Sequence, residues 1–537
     1  MASAISNTFR LARAGIVLAQ HGVHLLPKGM PAPLPLRLAR WLSLPFALIG
    51  WPFHIGKPKE TRIARAFTSL GPSYIKLGQF LATRGDLIGP ELQRDLSHLQ
   101  DRLPPFSMAE ARRAIEDAFG GRLEDHFAEF GPPVAAASIA QVHKAAVIDK
   151  STGARRFVAV KILRPGVERR FQRDIDSYRF AARLIERVSP PVRRLQPVAV
   201  VDNLEQTTTL EMDLRLEAAA ISEFADNIAA DFDLPDGRWR VPTVDWRRTS
   251  QRVLTVEWID GTPIGDISRL KAEGHDLERL GLTVLRTFLR HAMRDGLFHA
   301  DMHQGNMLVE PDGTIAAVDF GIVGRLGAME KRFLAEILYG LITRDYRRAA
   351  QVHFDAGYVP THHSVEVFAQ AMRAIGEPIH GRTADEISMA DLLGQLFAYT
   401  DVFDMKTRPE LILLQKSMVI VEGVARGLDP RLNLWTAAEP VAKAWLDANF
   451  GLEGRLREAG EGAEIMGRVL TQVPRFLEQV ETTTSELSRM SREGWRLDLS
   501  TIEAMARASA RHQRWQTAAL WLGALALATL AVVAATG

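Results

Sequence analysis

The stretch from His299 to Gly321, "HADMHQGNMLVEPDGTIAAVDFG", restricts what this chain can fold into more than any other. Two short apolar runs flank the turn Pro311-Asp312-Gly313, so its middle reads as a hairpin of two short strands. Asp301 stands five residues before Asn306 and eighteen before Asp319, with that hairpin between them. These are hard oxygen donors of the kind that magnesium demands. "DFG" by itself is an ordinary turn; in register with "HADMHQGN" it becomes a candidate site.

The spacing matches the catalytic core of kinase-like folds. There the first Asp orients or deprotonates the attacking group, while the Asn and the second Asp hold magnesium against phosphates. Asp301 is therefore the candidate catalytic residue, with Asn306 and Asp319 as candidate metal ligands. Lys161 closes the apolar strand "FVAVK" and is expected to reach phosphate. Such a lysine needs a carboxylate to fix it. "LEMDLRLEAAA" at 210–220 offers Glu211, Asp213 and Glu217, of which Glu217 is assigned to Lys161. Upstream, "VAAASIAQV" supplies Val134, Ala135, Ala136, Ala137, Ser138, Ile139, Ala140, Gln141 and Val142 as the expected phosphate-side loop. Alanine replaces the usual glycine, which limits positive φ and predicts a stiffer loop. "VLTVEWIDG" at 253–261, with Glu257, reads as the strand and hinge whose backbone meets adenine.

At 537 residues the chain needs more than one domain. Its 66 basic and 64 acidic residues make no field that would gather nucleic acid. With no cysteine, any metal must sit on oxygen or imidazole. The pattern divides into an apolar or amphipathic segment at 1–60, a helical extension at 61–130, a kinase-like N-lobe with a helical insert at 131–262 and a C-lobe at 263–450. A helical juxtamembrane region at 451–514 and a transmembrane helix at 515–537 complete the division. The last expectation rests on Thr517 to Ala535, nineteen residues without a charge. As a helix they would be about 28 Å long, near the hydrocarbon thickness of a bilayer. Arg507, Arg511, Arg514 and Trp515 flank them and predict a single-pass helix with the main domain cytoplasmic. Trp41 to Ile55 reads as an interfacial segment or an apolar strap, and no cleavable signal is evident. The expected class is α+β: a protein-kinase-like bilobal fold with a helical N-terminal extension, helical inserts and a C-terminal transmembrane helix.

In "YIKLGQFLATRGD", Tyr74, Leu77 and Leu81 share one helical face and Lys76, Gln79 and Thr83 the opposite one, which alone predicts an amphipathic helix with a wet side. "KLGQ", "AAASIAQVH", "EMDLRLEAA", "HADMHQGN" and "DFG" occur in the order found in the UbiB family of atypical kinase-like proteins, which this chain resembles over nearly its whole length, "LLQKSMVIVEGVARGLDPRLNLW" at 413–435 included. The resemblance implies that Lys76, Gly78 and Gln79 form a family signature, with Glu211 and Asp213 as its acidic counterpart. It also implies that the extension covers the cleft, so that Lys76 meets Asp213 or its neighbours. Further implications are ATP and Mg2+ as cofactors, a role in ubiquinone biosynthesis at the cell inner membrane, and membrane lipid, quinone-precursor lipids and ubiquinone biosynthesis enzymes as partners. Met302 and Gln304 replace prolines usual in the family.

Protein kinases place an Arg before the catalytic Asp to couple it to an activation segment; here that position is Ala300. Helical periodicity resumes soon after Gly321, leaving no room for such a segment. ATPase or small-molecule phosphotransfer is expected rather than phosphorylation of other proteins. Two alternatives stay open: a phosphotransferase of the choline or aminoglycoside kinase type, and a nucleotide-sensing scaffold without turnover.

Overall fold

The structure is a computed structural model that describes residues 2–21, 59–82, 103–149, 152–188, 196–230, 238–380 and 409–450, with isolated positions within 88–99, at 193 and within 399–405. Strand alternation builds its first sheet. In "RRFVAVKIL" the side chains of Val158, Val160 and Ile162 fall on one face, fully buried, while Phe157, Ala159 and Lys161 fall on the other. β1 (Glu129–Ala136), β2 (Ala140–Ile148) and β3 (Arg155–Leu163) run antiparallel. After the two-residue β4 (Trp239–Arg240), β5 (Val253–Glu257) returns to pair with β3, giving the order β1-β2-β3-β5. β1 is an edge strand with irregular register around Pro133, where proline supplies no ladder donor.

The helix Met108–Phe119 covers the apolar face, packing Ala111 and Ile115 against Val158, Val160, Ile162 and Val253. Each such fully buried aliphatic side chain contributes about 1.5–3 kcal/mol. A capping box starts the helix: Glu110 N–H donates to Ser107 Oγ, and Ser107 N–H to the Glu110 carboxylate. The opposite face of the sheet, bearing Lys161, is left to the cleft.

Among the described residues between β3 and β4 the chain forms three α-helices, Val167–Val188, Pro197–Glu211 and Leu214–Ala229. The last starts at Asp213, whose carboxylate accepts from Arg215 N–H. Ala218, Ile221 and Phe224 then face the main core, with Leu285, Phe288, Phe298 and Phe320. β6 (Thr262–Pro263) follows, then the helix Leu277–Arg290 and a π-helical turn, His291–Asp295, that Gly296 ends at φ 70°. β7 (Leu297–His299), β8 (Met307–Val309), β9 (Ile315–Ala317) and β10 (Val323–Arg325) complete the strands. β8 and β9 form the expected hairpin, pairing Met307 with Ala317 and Val309 with Ile315, and Gly313 turns at φ 84°. The strand order there is β4-β9-β8-β6, while β10 pairs with β7. The helix Ala328–Ile342 begins three residues after β10 ends. Tyr346–Asp355, Val365–His380, Pro409–Leu428 and Leu434–Phe450 are the remaining long helices among the described residues.

The N-terminal helices Ala2–Gln20, Lys59–Leu70 and Pro72–Ala82 pack together through Leu18, Ile63 and Phe67. Tyr74, Leu77 and Phe80 then seat the extension on Ile175, Tyr178, Val201 and Leu204 of the insert. Both sides of Pro72–Ala82 are covered, because Ser73, Ile75, Lys76 and Gly78 are buried as well. Of the wet face that periodicity alone predicts, Lys76 is buried and Gln79 half-buried, and Thr83 lies outside the described residues.

The expected transmembrane helix is corrected: among the described residues no helix is long and apolar enough to cross a membrane. The twenty-residue helix Pro409–Leu428 shows why, since Glu410, Lys416, Glu422 and Arg426 interrupt it. The segment 515–537 on which the expectation rested lies outside the described residues, as do 451–514 and Trp41 to Ile55. The fold class therefore stands without a spanning helix, and the inner-membrane localisation inferred from it falls too. Met1–Leu446 forms one compact unit; of the second, Asp447–Gly537, only the end of the helix Leu434–Phe450 is described.

Candidate nucleotide site

Strand β3 directs Lys161 into the cleft, and the helix Leu214–Ala229 brings Glu217 against it. Nζ donates to both Glu217 oxygens at 2.9 Å and to Asp319 Oδ1 at 2.6 Å. Burial works against the Lys161 ammonium, but Asp319 and Glu217 outweigh it and hold its pKa well above the ordinary lysine value. The Lys161 charge in turn holds the Asp319 carboxyl well below its usual range. Glu217 is pushed up by burial, opposed by Lys161. Asp319 sits at φ 62°, a left-handed conformation that Asp tolerates better than most side chains and that recurs at functional sites. Its side chain is half-exposed, at 51%, so one face of the ion cluster is open to the cleft. Gly321 closes the cluster from below: a Cβ there would stand 3.4 Å from Asp319 Oδ1 and 3.9 Å from both Glu217 Oε2 and Lys161 Nζ.

The turn after β7 carries Asp301 and Asn306. Buried His299 braces it: Nδ1 accepts from Asp301 N–H at 3.1 Å and Nε2 donates to Val318 O at 3.2 Å. Burial lowers the His299 pKa, which suits this neutral tautomer. Asn306 is buried, and its Nδ2 donates to Asp301 O at 3.0 Å. Met302 is buried in the core, so the loop is stiffened by packing. Ala300 is buried too, with no space for the arginine of protein kinases. Its carbonyl lies 3.1 Å from Ser417 Oγ, a buried hydroxyl on the helix Pro409–Leu428 that also reaches Leu413 O at 2.8 Å. Sequence spacing gave no hint of Ser417.

The alanine-rich stretch divides between β1, a tight turn and β2. Val134 and Ala135 are exposed, and Ala136 and Ala137 half-buried. Ala137 N–H donates to Ala140 O at 2.8 Å, closing the turn around buried Ser138 and Ile139. Arg164, another residue that sequence reasoning missed, clamps this turn: Nε and Nη2 donate to Ala137 O at 3.0 and 2.8 Å. Val142 pairs with Lys161 and shares its face of the sheet. Gln141 does not, because alternation turns it to the apolar side. There its Oε1 accepts from Phe106 N–H at 2.9 Å and its Nε2 meets His143 Nε2 at 2.8 Å, so its side chain is a tie to the extension. Glu257 likewise lies opposite Val158, off the Lys161 face. Its carboxylate takes a bidentate pair of bonds from Arg240 at 2.9 and 3.0 Å, and its N–H donates to Thr243 O.

The extension meets the cleft through Lys76, whose Nζ is 2.7 Å from Glu211 Oε2 with both side chains nearly buried. Asp213 instead caps its helix and pairs with Arg215 at 2.6 Å. Lys76 is also near enough to Asp319 to help lower its pKa. Gly78 permits the approach, since a Cβ there would collide with Leu99 and stand 2.6 Å from Phe67 Cδ2. Gln79 follows it on the same helix, half-buried.

A family model of the ABC1 atypical kinase-like domain matches residues 98–353, and one of the UbiB helical domain matches 372–433. The chain is 36% identical over 480 residues to the "Probable protein kinase UbiB" of Xanthomonas campestris pv. campestris, covering 88% of this chain and 83% of that protein. To the protein of the same name from Xanthomonas oryzae pv. oryzae it is 35% identical over 509 residues, covering 93% and 90%. Among solved structures, the Rv3197–erythromycin complex from Mycobacterium tuberculosis is 26% identical, with a TM-score of 0.47 over 68% of this chain and 90% of the other.

Proposed function

Since the chain belongs to the UbiB family of ABC1 atypical kinase-like proteins, we propose that its cleft binds Mg-ATP and that it acts as an atypical kinase or ATPase supporting ubiquinone biosynthesis. One observation carries the nucleotide reading: Lys161, held by Glu217, is paired directly with Asp319, whose chain neighbour Val318 donates its N–H to the Asn306 carbonyl of the Asp301–Asn306 turn.

The donors fit the cofactor. Asp319 and Asn306 offer oxygen atoms, and with Asn306 Nδ2 bonded to Asp301 O, Oδ1 is the amide atom left to ligate. Two carboxylates, Glu217 and Asp319, share the single ammonium of Lys161, a surplus of negative charge that suits a divalent cation. The cation, when bound, supplies charge neutralisation for phosphate oxygens. Lys161 would meet those oxygens, with Glu217 holding it in place. The Ala137 turn would cover the phosphates. Asp301 would orient the attacking hydroxyl or water and take its proton. β10 starts two residues after Gly321 and pairs at once with β7, so no segment follows to dock a peptide. That supports hydrolysis or transfer to a small acceptor over phosphorylation of other proteins.

Calorimetric titration of Mg-ATP and Mg-ADP into the parent and Asp319→Asn tests the site. Mg-dependent binding is expected in the parent and lost in the variant; equal binding by both sinks the assignment. Quinone profiling by mass spectrometry after gene deletion tests the role. Ubiquinone is expected to fall and not to recover with Asp319→Asn; normal ubiquinone in the deletion strain removes that role.

A further inference from the structure

Outside the cleft, and among the described residues, one group of side chains has the makings of a metal centre: His362, His363 and Asp404. The two histidines are consecutive in the turn between the helices Tyr346–Asp355 and Val365–His380, and Asp404 arrives forty-one residues after His363. His362 Nε2 lies 3.5 Å and His363 Nε2 3.4 Å from the same oxygen, Asp404 Oδ2. A well-formed hydrogen bond between such groups is shorter, about 2.7–3.2 Å. Two ligands at about 2.0–2.1 Å from a tetrahedral zinc ion stand roughly 3.3–3.4 Å apart, close to the separation of each histidine from Asp404, and all three ligand atoms lie within 4.8 Å of one another.

The surroundings hold this geometry from one side. His363 is mostly buried and packs edge-on to Phe403 at 5.3 Å, and Phe403 packs on Phe368 at 4.9 Å. The His362 and His363 rings lie 4.1 Å apart. Asp404, next to Phe403, turns at φ 48°. His362 and Asp404 are largely exposed, at 64% and 68%, which leaves room for water as a fourth ligand. Imidazole nitrogen favours zinc over magnesium or calcium. We propose that His362, His363 and Asp404 bind a zinc ion that staples the Val365–His380 helix to the segment bearing Phe403, independently of the nucleotide cleft.

The test uses tag-free full-length protein, stripped with a chelator and titrated with zinc against a chromophoric competitor. One equivalent is expected to bind, raising Tm by about 2–4 °C at saturation. His363→Ala and Asp404→Asn should each weaken zinc binding by at least about tenfold. Asp319→Asn should leave it unchanged. Asp404 is exposed enough for its variant to keep the fold, so it stays informative if His363→Ala does not purify. Zinc binding no tighter than in a competitor-limited background, full affinity in Asp404→Asn, or loss of binding in Asp319→Asn would each overturn the site.

Discussion

At the scale of single residues, the alanine turn owes its position to a clamp on its backbone. The Arg164 guanidinium makes two charge-assisted bonds to the Ala137 carbonyl, and an interaction of this kind contributes about 1.5–3 kcal/mol. Arg164→Gln is therefore expected to weaken ADP and ATP affinity more than Ala→Gly at Ala135, Ala136 or Ala137. Binding assays on the four variants decide, and equal effects would assign control to the alanine methyls instead. Residue scale is also where the sequence was most and least legible. Asp301 and Asn306 stand just before one short hairpin and Asp319 just after it, and the Val318 N–H to Asn306 O bond closes its base, so their separation along the chain translates into proximity. Lys161 and Glu217 could be matched because a strand-end ammonium demands a carboxylate, and they meet at 2.9 Å. Arg164 and Ser417 act through carbonyls, Ala137 and Ala300, and a carbonyl leaves no trace in residue type.

Elements explain the remaining discrepancies. Glu211 ends one helix and Asp213 caps the next, so two acids in "EMD" point in different directions, and only the first reaches Lys76. Gln141 and Glu257 fall on the far side of their strands because alternation, read from Lys161 outward, puts them there. The hairpin, the strand through Lys161, the strand beginning at Val253 and the helical insert were visible as periodicity, whereas β1 runs into the stretch expected as a loop; the burial of the signature helix on both sides was not visible either, since it depends on what the extension packs against. Gly78 is the tightest point of that packing. Gly78→Ala would drive a methyl into Leu99 and Phe67, an overpacking that costs roughly 1–3 kcal/mol. Hydrogen exchange should show faster opening of Pro72–Ala82, with β2 and β3 unaffected. Unchanged protection of that helix would mean that the contact yields without strain.

For the molecule as a whole, buried histidines set the response to acid. His291 lies in the main core against Phe224 and Trp239, and burial, with Arg294 and Arg290 nearby, lowers its pKa to about 3. The unfolded chain, with a histidine pKa near 6.5, takes up a proton that the folded state refuses. Stability is thus fully present above about pH 6.5 and is lost progressively from there down to about pH 3. At pH 5 the loss from His291 alone is about 2 kcal/mol. Urea midpoints at pH 7.5 and 5 should differ less for His291→Phe than for the parent. Burial lowers His143, His299 and His353 in the same direction, so some acid sensitivity will remain in the variant. An identical pH dependence in both proteins would rule out His291 as its main source.

The docked extension has a consequence for biosynthesis. Lys76 is made 135 residues before Glu211, and the insert that receives Tyr74, Leu77 and Phe80 lies wholly downstream. At about 5–20 residues per second, the ribosome takes roughly 7–27 s to deliver it. During that interval a helix destined for burial on both sides has no partner from its own insert, and the nascent chain carries the apolar side chains of Tyr74, Leu77 and Phe80 uncovered by that insert before its cleft exists.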